Sequence, residues 1–363
     1  MNYLNNINIQ EIKPLISPIC LHDELPITKK ALDNVLLSRE IIKNILDKTD
    51  SRLLIIVGPC SIHDPKAALE YAIKLKTLSN ELQNTLFIVM RTYFEKPRTT
   101  IGWKGLINDP DLDESYNINK GLRIARQLLI DINELGLATS LEFLDTISPQ
   151  YLSDLISWGA IGARTTESQL HRELVSGLSM PIGFKNSTNG NIKIVMDAIK
   201  SAASPHKFLG INTYGISSII KTLGNPYTHT ILRGSEHSPN YHKEFIDVVY
   251  NMLSQNKLNT NIMIDCSHGN SEKKYKNQIN VICYLTNLIN NGYNNIMGLM
   301  IESNLKSGNQ NFTKDLEYGV SITDECIGWE CTENLLKLLS ISVKNNNYKK
   351  YNMMWWNENL NTT

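Results

Sequence analysis

The feature that most constrains this chain is a repeated ending. Short apolar runs each stop at a polar or charged residue. The first run, 53–57, halts at Gly58 and Pro59; Cys60, Ser61, His63 and Asp64 follow before Pro65 opens a helical stretch. An apolar run of this length reads as a strand buried on both faces. Gly-Pro marks a turn, and proline suits the first helical position. Strand, polar loop and helix together form the repeating unit of a parallel α/β protein.

The unit recurs. Further strands are expected at 86–90, 137–141, 160–163, 181–184, 228–232, 261–265 and 296–301. They lead into Arg91, Glu142, Arg164, Lys185, Arg233, His268 and Glu302. Helical spacing covers 28–47, with Thr28 as a cap, and then 65–83, 118–134, 149–157, 167–176, 191–203, 241–255, 275–290 and 331–343. Two short apolar runs, 207–211 and 216–220, flank a glycine-containing turn and read as an inserted β-hairpin. Eight such strands predict an α/β fold, a (β/α)8 TIM barrel, whose strand ends meet at one mouth. An open doubly wound sheet is the alternative, and it would not gather all eight ends around one centre.

The expected organisation is an N-terminal extension and helix over 1–50, the barrel with its hairpin over 51–344, and a tail over 345–363. A short strand is expected within 7–12. The 36 basic and 36 acidic residues cancel, which argues against nucleic acid and against an anionic membrane surface as partner. No segment has the length of an apolar bilayer span. Six cysteines without a CxxC pair do not make a disulfide framework, and the N-terminus lacks a secretory pattern, so a cytoplasmic protein is expected. The abundant asparagines read as compositional bias.

Two constellations gather at the expected mouth. One is cationic: Arg91, Lys96, Arg98, Arg164, Lys185 and Arg233. Arginine forks and lysine point charges suit carboxylate and phosphate, and so many cations imply two or more anionic groups. Ordinary surface pairing is the bland alternative for any one of them. The loop from 92 to 116 is long and dense in Lys, Arg, Thr and Gly, as functional loops often are. The second constellation holds ligand types from four separate places: Cys60, His268, Glu302 and Asp324. A thiolate, an imidazole and two carboxylates suit one borderline divalent ion: iron, manganese, cobalt or zinc. Without a metal, Cys60 would be a small buried residue, His268 a satisfied core histidine and Glu302 an ion-pair partner.

The segments GPCSIHD at 58–64, RTYFEKPRTTIGWKGL at 91–106, WGAIGARTTESQLHRE at 158–173, GFKNSTNG at 183–190 and DCSHGNS at 265–271, with ESNLKSGNQ at 302–310, are long and specific. They resemble the 3-deoxy-D-arabino-heptulosonate 7-phosphate synthases, in the bacterial and fungal type regulated by aromatic amino acids. The resemblance runs from about residue 3 to 340. It implies condensation of phosphoenolpyruvate with erythrose 4-phosphate, the first step of the shikimate pathway. It implies metal ligation by Cys60, His268, Glu302 and Asp324, and phosphoenolpyruvate binding by Arg91, Lys96, Arg164, Lys185 and Arg233. Erythrose 4-phosphate would meet Lys96, Arg98 and Thr99. Glu142 would lie near the reacting water, Lys96 would protonate the alkoxide, and the metal would polarise the aldehyde. Cys60 would also be open to oxidation as a solvent-accessible thiolate.

The resemblance further implies an aromatic amino acid effector, held away from the mouth near Asp145, Gln150, Ser179, Phe208, Gly210 and Ile220. It also implies a homodimer or homotetramer. The GINTYG stretch at 210–215 resembles tyrosine- or tryptophan-sensitive members more than phenylalanine-sensitive ones, and a pocket that has lost feedback is the alternative. Competing classes are another phosphoenolpyruvate-dependent 3-deoxy sugar acid synthase, a metal-dependent aldolase, and a non-catalytic sugar-phosphate-binding barrel.

Overall fold

A computed structural model describes residues 4–97, 102–312 and 315–360, with side chains described to residue 347. Eight parallel strands close into a barrel: β1 Leu53–Gly58, β2 Leu86–Arg91, β3 Ala138–Glu142, β4 Trp158–Ile161, β5 Ile182–Lys185, β8 Thr228–Leu232, β9 Ile262–Asp265 and β10 Gly298–Glu302. Pairing runs in chain order and shuts where β1 meets β10, with Gly58 opposite Glu302. The hairpin β6 Lys207–Ile211 and β7 Ser217–Lys221 stands outside it as an antiparallel pair.

Alternation along the strands decides what faces the mouth. Leu54 and Ile56 of β1 join the interior cluster, whereas Leu53, Ile55 and Val57 pack outward against the helical layer. The interior positions Val89, Ala160, Ile231, Met263 and Met300 follow the same rule. Two residues further along each chain stand Arg91, Gly162, Arg233, Asp265 and Glu302. The apolar filling of the barrel therefore ends in a charged rim on the same inward side.

The helices are α1 Pro18–Glu24, α2 Lys29–Leu46, α3 Pro65–Leu82, α4 Ile118–Glu134, α5 Pro149–Leu152, α6 Gln169–Val175, α7 Lys193–Ala202, α8 Lys243–Gln255, α9 Tyr275–Asn290 and α10 Trp329–Leu360. Thr28 caps α2, accepting from the Ala31 amide at 3.2 Å. Asp64 caps α3 ahead of Pro65. Ile42, Ile45 and Leu46 of α2 join the interior cluster and plug the barrel at the ends where its strands begin. The hairpin is tied to α1 by the Ile19 amide, which donates to the Thr213 carbonyl at 2.8 Å.

Several boundaries differ from expectation. No strand forms at 7–12: Asn6 adopts a left-handed conformation (φ 62°), and Ile7, Ile9 and Ile12 stand exposed and pair with no strand among the described residues. The fourth barrel strand is Trp158–Ile161, two residues earlier than its apolar run suggested. Gly162 already begins a turn, accepting from the Thr165 amide at 3.0 Å, so Arg164 sits on that turn and not at a strand end. The expected helix at 149–157 splits into α5 and a short 3₁₀ turn, Ser153–Leu155. The final helix α10 continues to Leu360 through a stretch whose sequence has no clear apolar period.

Candidate active site

The loop after β1 is fixed at several points. The Ile62 amide donates to the Tyr93 carbonyl at 2.8 Å, and Asp64 anchors α3. The Ser61 and Thr323 hydroxyls lie 2.7 Å apart, which joins this loop to the one carrying Asp324. Gln278 of α9 grips the Glu302 main chain in both directions, donating to its carbonyl at 2.9 Å and accepting from its amide at 2.8 Å. These local bonds bring one donor atom each from Cys60, Glu302 and Asp324 within 4.8 Å of one another.

His268 stands at the edge of this group, its Nε2 3.7 Å from Glu302 Oε1. Its Nδ1 lies 2.9 Å from Asp265 Oδ2 and 2.8 Å from Ser267 Oγ, which leaves Nε2 as the nitrogen facing the group. The donor set of thiol, imidazole and two carboxylates fits a borderline divalent cation. A cationic group already sits among these donors: Lys96 Nζ is 2.9 Å from Cys60 Sγ and 2.8 Å from Asp324 Oδ2.

Electrostatics follow from burial and pairing. Burial pushes the Cys60 thiol up, and Glu302 and Asp324 push the same way against Lys96 and Arg91. The residue is fully buried, which departs from the solvent-accessible thiolate expected from sequence. Burial opposes the charge on Lys96, but Cys60, Glu302 and Asp324 outweigh it and keep the ammonium protonated. Burial likewise opposes ionisation of Asp324, which Lys96 and His268 hold well below the usual carboxylate range. For Glu302, His268, Arg91 and Lys96 outweigh burial and hold the carboxyl down.

Above this group opens a cavity of about 280 Å³. Of the residues expected at the mouth, Lys96, Glu142, Arg164, Lys185, Arg233, His268 and Asp324 line it. Glu142 lies against Gly162, where an added Cβ would come within 2.1 Å of its Oε1. Arg91 is placed differently. It is buried beneath the cavity, donating to the Pro59 carbonyl at 3.0 Å, the Cys60 carbonyl at 3.1 Å and Glu302 Oε1 at 2.9 Å. Its guanidinium lies 3.7 Å from the centre of the Tyr93 ring. Arg98 and Thr99 fall outside the described residues.

Sequence reasoning missed Asp265 and Lys273. Asp265 is fully buried and pairs with Lys185 Nζ at 3.1 Å as well as with His268. Burial opposes its charge, but His268 and Lys185 hold its carboxyl well below the usual range. Its place at the end of a strand, three residues before His268, was the available signal. Lys273 adds a cation to the cavity wall from a left-handed backbone position (φ 61°). The residues considered for an effector lie elsewhere. Asp145 closes a turn by accepting from the Ser148 amide at 2.7 Å, Gln150 is in α5, and Ser179 is exposed before β5. Phe208 pairs with Ile220 across the hairpin, and Gly210 pairs with Ser218.

Comparison with known proteins agrees with this geometry. The profile of the DAHP synthetase I family matches residues 24–337. The chain is 53% identical over 347 residues to the Phe-sensitive phospho-2-dehydro-3-deoxyheptonate aldolase of Escherichia coli K12, covering 95% of this chain and 99% of that protein. It is 49% identical over 337 residues to the Tyr-sensitive enzyme of Salmonella typhimurium, covering 92% and 94%. A solved structure of phospho-2-dehydro-3-deoxyheptonate aldolase from Francisella tularensis superposes with a TM-score of 0.91 at 51% identity, over 93% of this chain and 99% of that one. The chain belongs to the DAHP synthetase I family.

Proposed function

We propose that this protein condenses phosphoenolpyruvate with erythrose 4-phosphate and water, giving 3-deoxy-D-arabino-heptulosonate 7-phosphate and inorganic phosphate. The observation that carries this function is a single cavity. Lys96, Arg164, Lys185 and Arg233 converge there on one space, beside a cluster of thiol and carboxylate donors. The names of close relatives support it.

Arg164, Lys185 and Arg233 hold the carboxylate and phosphate of phosphoenolpyruvate, and Arg91 braces the floor beneath them. Lys96, with Arg98 and Thr99, receives erythrose 4-phosphate. Cys60, His268, Glu302 and Asp324 would hold one divalent ion of iron, manganese, cobalt or zinc. Bound there, the ion supplies Lewis-acid polarisation of the aldehyde.

Carbon 3 of phosphoenolpyruvate forms the new bond to the aldehyde carbon. The oxygen that gains charge takes a proton from the Lys96 ammonium, which its acidic neighbours keep protonated. Water adds at carbon 2 beside Glu142, and phosphate leaves with its bridging oxygen as that carbon–oxygen bond breaks. The fixed cations of the cavity stabilise the charge while it moves.

An aromatic amino acid effector is assigned to the region of Asp145, Gln150, Ser179, Phe208, Gly210 and Ile220. A homodimer or homotetramer is assigned by analogy with the family. The six cysteines are all free thiols, which suits a reducing cytoplasm. Among the described residues no helix is long and apolar enough to cross a membrane. The test is turnover by metal-loaded protein. Erythrose 4-phosphate should react and arabinose 5-phosphate should not; the reverse preference would assign the chain to another sugar acid synthase.

A further inference from the structure

Three asparagines follow three different barrel strands, and hydrogen bonds link them in series from Asn186 through Asn240 to Asn270. Asn186, Asn240 and Asn270 are all buried, with 0%, 4% and 5% of their surface exposed. Asn186 Oδ1 accepts from the Arg233 amide at 2.9 Å, and its Nδ2 donates to the Gly234 carbonyl at 2.9 Å. Asn240 Oδ1 accepts from the Gly234 amide at 2.7 Å, while its Nδ2 donates to Asn186 Oδ1 at 3.1 Å. Asn270 Oδ1 accepts from the Asn240 amide at 2.8 Å, and its Nδ2 donates to the carbonyls of Leu232 at 3.2 Å and Asp265 at 2.8 Å. The main chain from Leu232 to Gly234 is thus held on both sides of Arg233.

Sterics fix the same place. Gly234 has a left-handed backbone (φ 76°), and a Cβ there would come within 2.4 Å of the Gly269 carbonyl carbon. The loops after β8 and β9 are in direct contact. The residues so tied are neighbours of the cavity cations. Lys185 precedes Asn186, Arg233 lies in the clamped segment, and His268 stands two residues before Asn270. Asp265, whose carbonyl is gripped by Asn270, pairs through its carboxylate with both Lys185 and His268.

We propose that Asn186, Asn240 and Asn270 are positioning residues that join the loops after β5, β8 and β9 into one unit and set the aim of Arg233 at the phosphoenolpyruvate site. This proposal rests on the function proposed above for its substrate. The chemistry calls for carboxamides. Each of these side chains both donates and accepts, and aspartate could not do both when ionised. Nor does a carboxamide add a further negative charge beside the cavity cations that face the substrate. Neutral groups also hold this geometry independently of pH. Small misplacement of a binding group can cost on the order of 10²-fold in rate. The clamp therefore acts on binding and turnover through Arg233.

The test is a double-mutant cycle on the full-length, metal-loaded protein, with Asn240→Ala, Arg233→Ala and the pair. Two readouts are taken: kcat/KM for phosphoenolpyruvate, and the Kd of phosphoenolpyruvate alone by calorimetry. Asn240→Ala should lower kcat/KM and weaken Kd by about tenfold or more, and it should do so by less than about twofold once Arg233 is gone. If Asn240→Ala does not fold, Asn186→Asp enters the same cycle, because it keeps the acceptor for the Arg233 amide and loses the donor to Gly234. Equal losses with and without Arg233, or a lowered Tm with kcat/KM and Kd unchanged, would overturn the clamp. Wild-type protein that binds phosphoenolpyruvate yet makes no product would overturn the proposed reaction instead, and the clamp would still be decided by the Kd arm.

Discussion

Arg91 and Glu302 form a buried ion pair, Nη2 to Oε1 at 2.9 Å, with 1% and 2% of their side chains exposed. The pair closes the seam of the barrel, where β1 meets β10 and β2. Burial opposes the charge on Arg91, but Glu302 and neighbouring groups keep it cationic. Removing one partner strands the other in a low-dielectric interior. Arg91→Ala should cost about 3–5 kcal/mol of stability, measured by denaturant unfolding. A loss confined to phosphoenolpyruvate affinity, with stability intact, would contradict this structural role.

Lys96 bridges Cys60 and Asp324 and stays protonated. As the proton donor to the developing alkoxide, it should carry about 10²–10⁴ of the rate. Lys96→Met should therefore lower kcat by that range while metal affinity is held or improved, since a competing cation is removed. Metal titration beside steady-state kinetics checks both. An unchanged kcat would remove Lys96 from the chemistry.

Cys60 contributes a donor to the metal group but does not line the substrate cavity. Cys60→Ser should weaken binding of manganese or cobalt more than binding of phosphoenolpyruvate, with the two affinities measured separately by calorimetry. Equal loss of both would count against its role as a ligand.

Glu95 supplies a pH dependence. Burial first, then Asp145 and Glu142, push its carboxyl up to about 8. The unfolded chain ionises near 4.5, so between that pH and about 8 the folded state binds more protons. Stability from this group is complete below 4.5 and falls as pH rises toward 8. Partial exposure limits the effect to about 1–3 kcal/mol. Glu95→Gln keeps an oxygen to accept from Asn108 Nδ2, which lies 3.4 Å from Glu95 Oε1. The variant should flatten the fall in Tm between pH 5 and 8. A parallel decline in wild type and variant would show that Glu95 does not titrate in this range.

The barrel was legible because parallel strands buried on both faces read as apolar runs, and the runs before Arg91, Glu142, Lys185, Arg233 and Glu302 each stop at a residue on the inward side. The apolar run from Ala160 to Ala163 points to Arg164 as a strand end, whereas the chain turns at Gly162. Arg91 carried the right charge, but its depth depends on pairing across the barrel that no local pattern records. The asparagines at 186, 240 and 270 were hidden for a different reason. They are neutral residues in an asparagine-rich chain, and only their meeting in space distinguishes them from the rest. The alternation of Ile7 and Ile9 resembled a strand but lacked an edge to pair with.

The most direct measurement is a steady-state assay of metal-stripped protein with phosphoenolpyruvate and erythrose 4-phosphate, with iron, manganese, cobalt or zinc added back singly. 3-Deoxy-D-arabino-heptulosonate 7-phosphate and phosphate should appear in equal amounts, and only once a divalent metal is restored. No product under any metal, with both substrates bound, would contradict the proposed reaction.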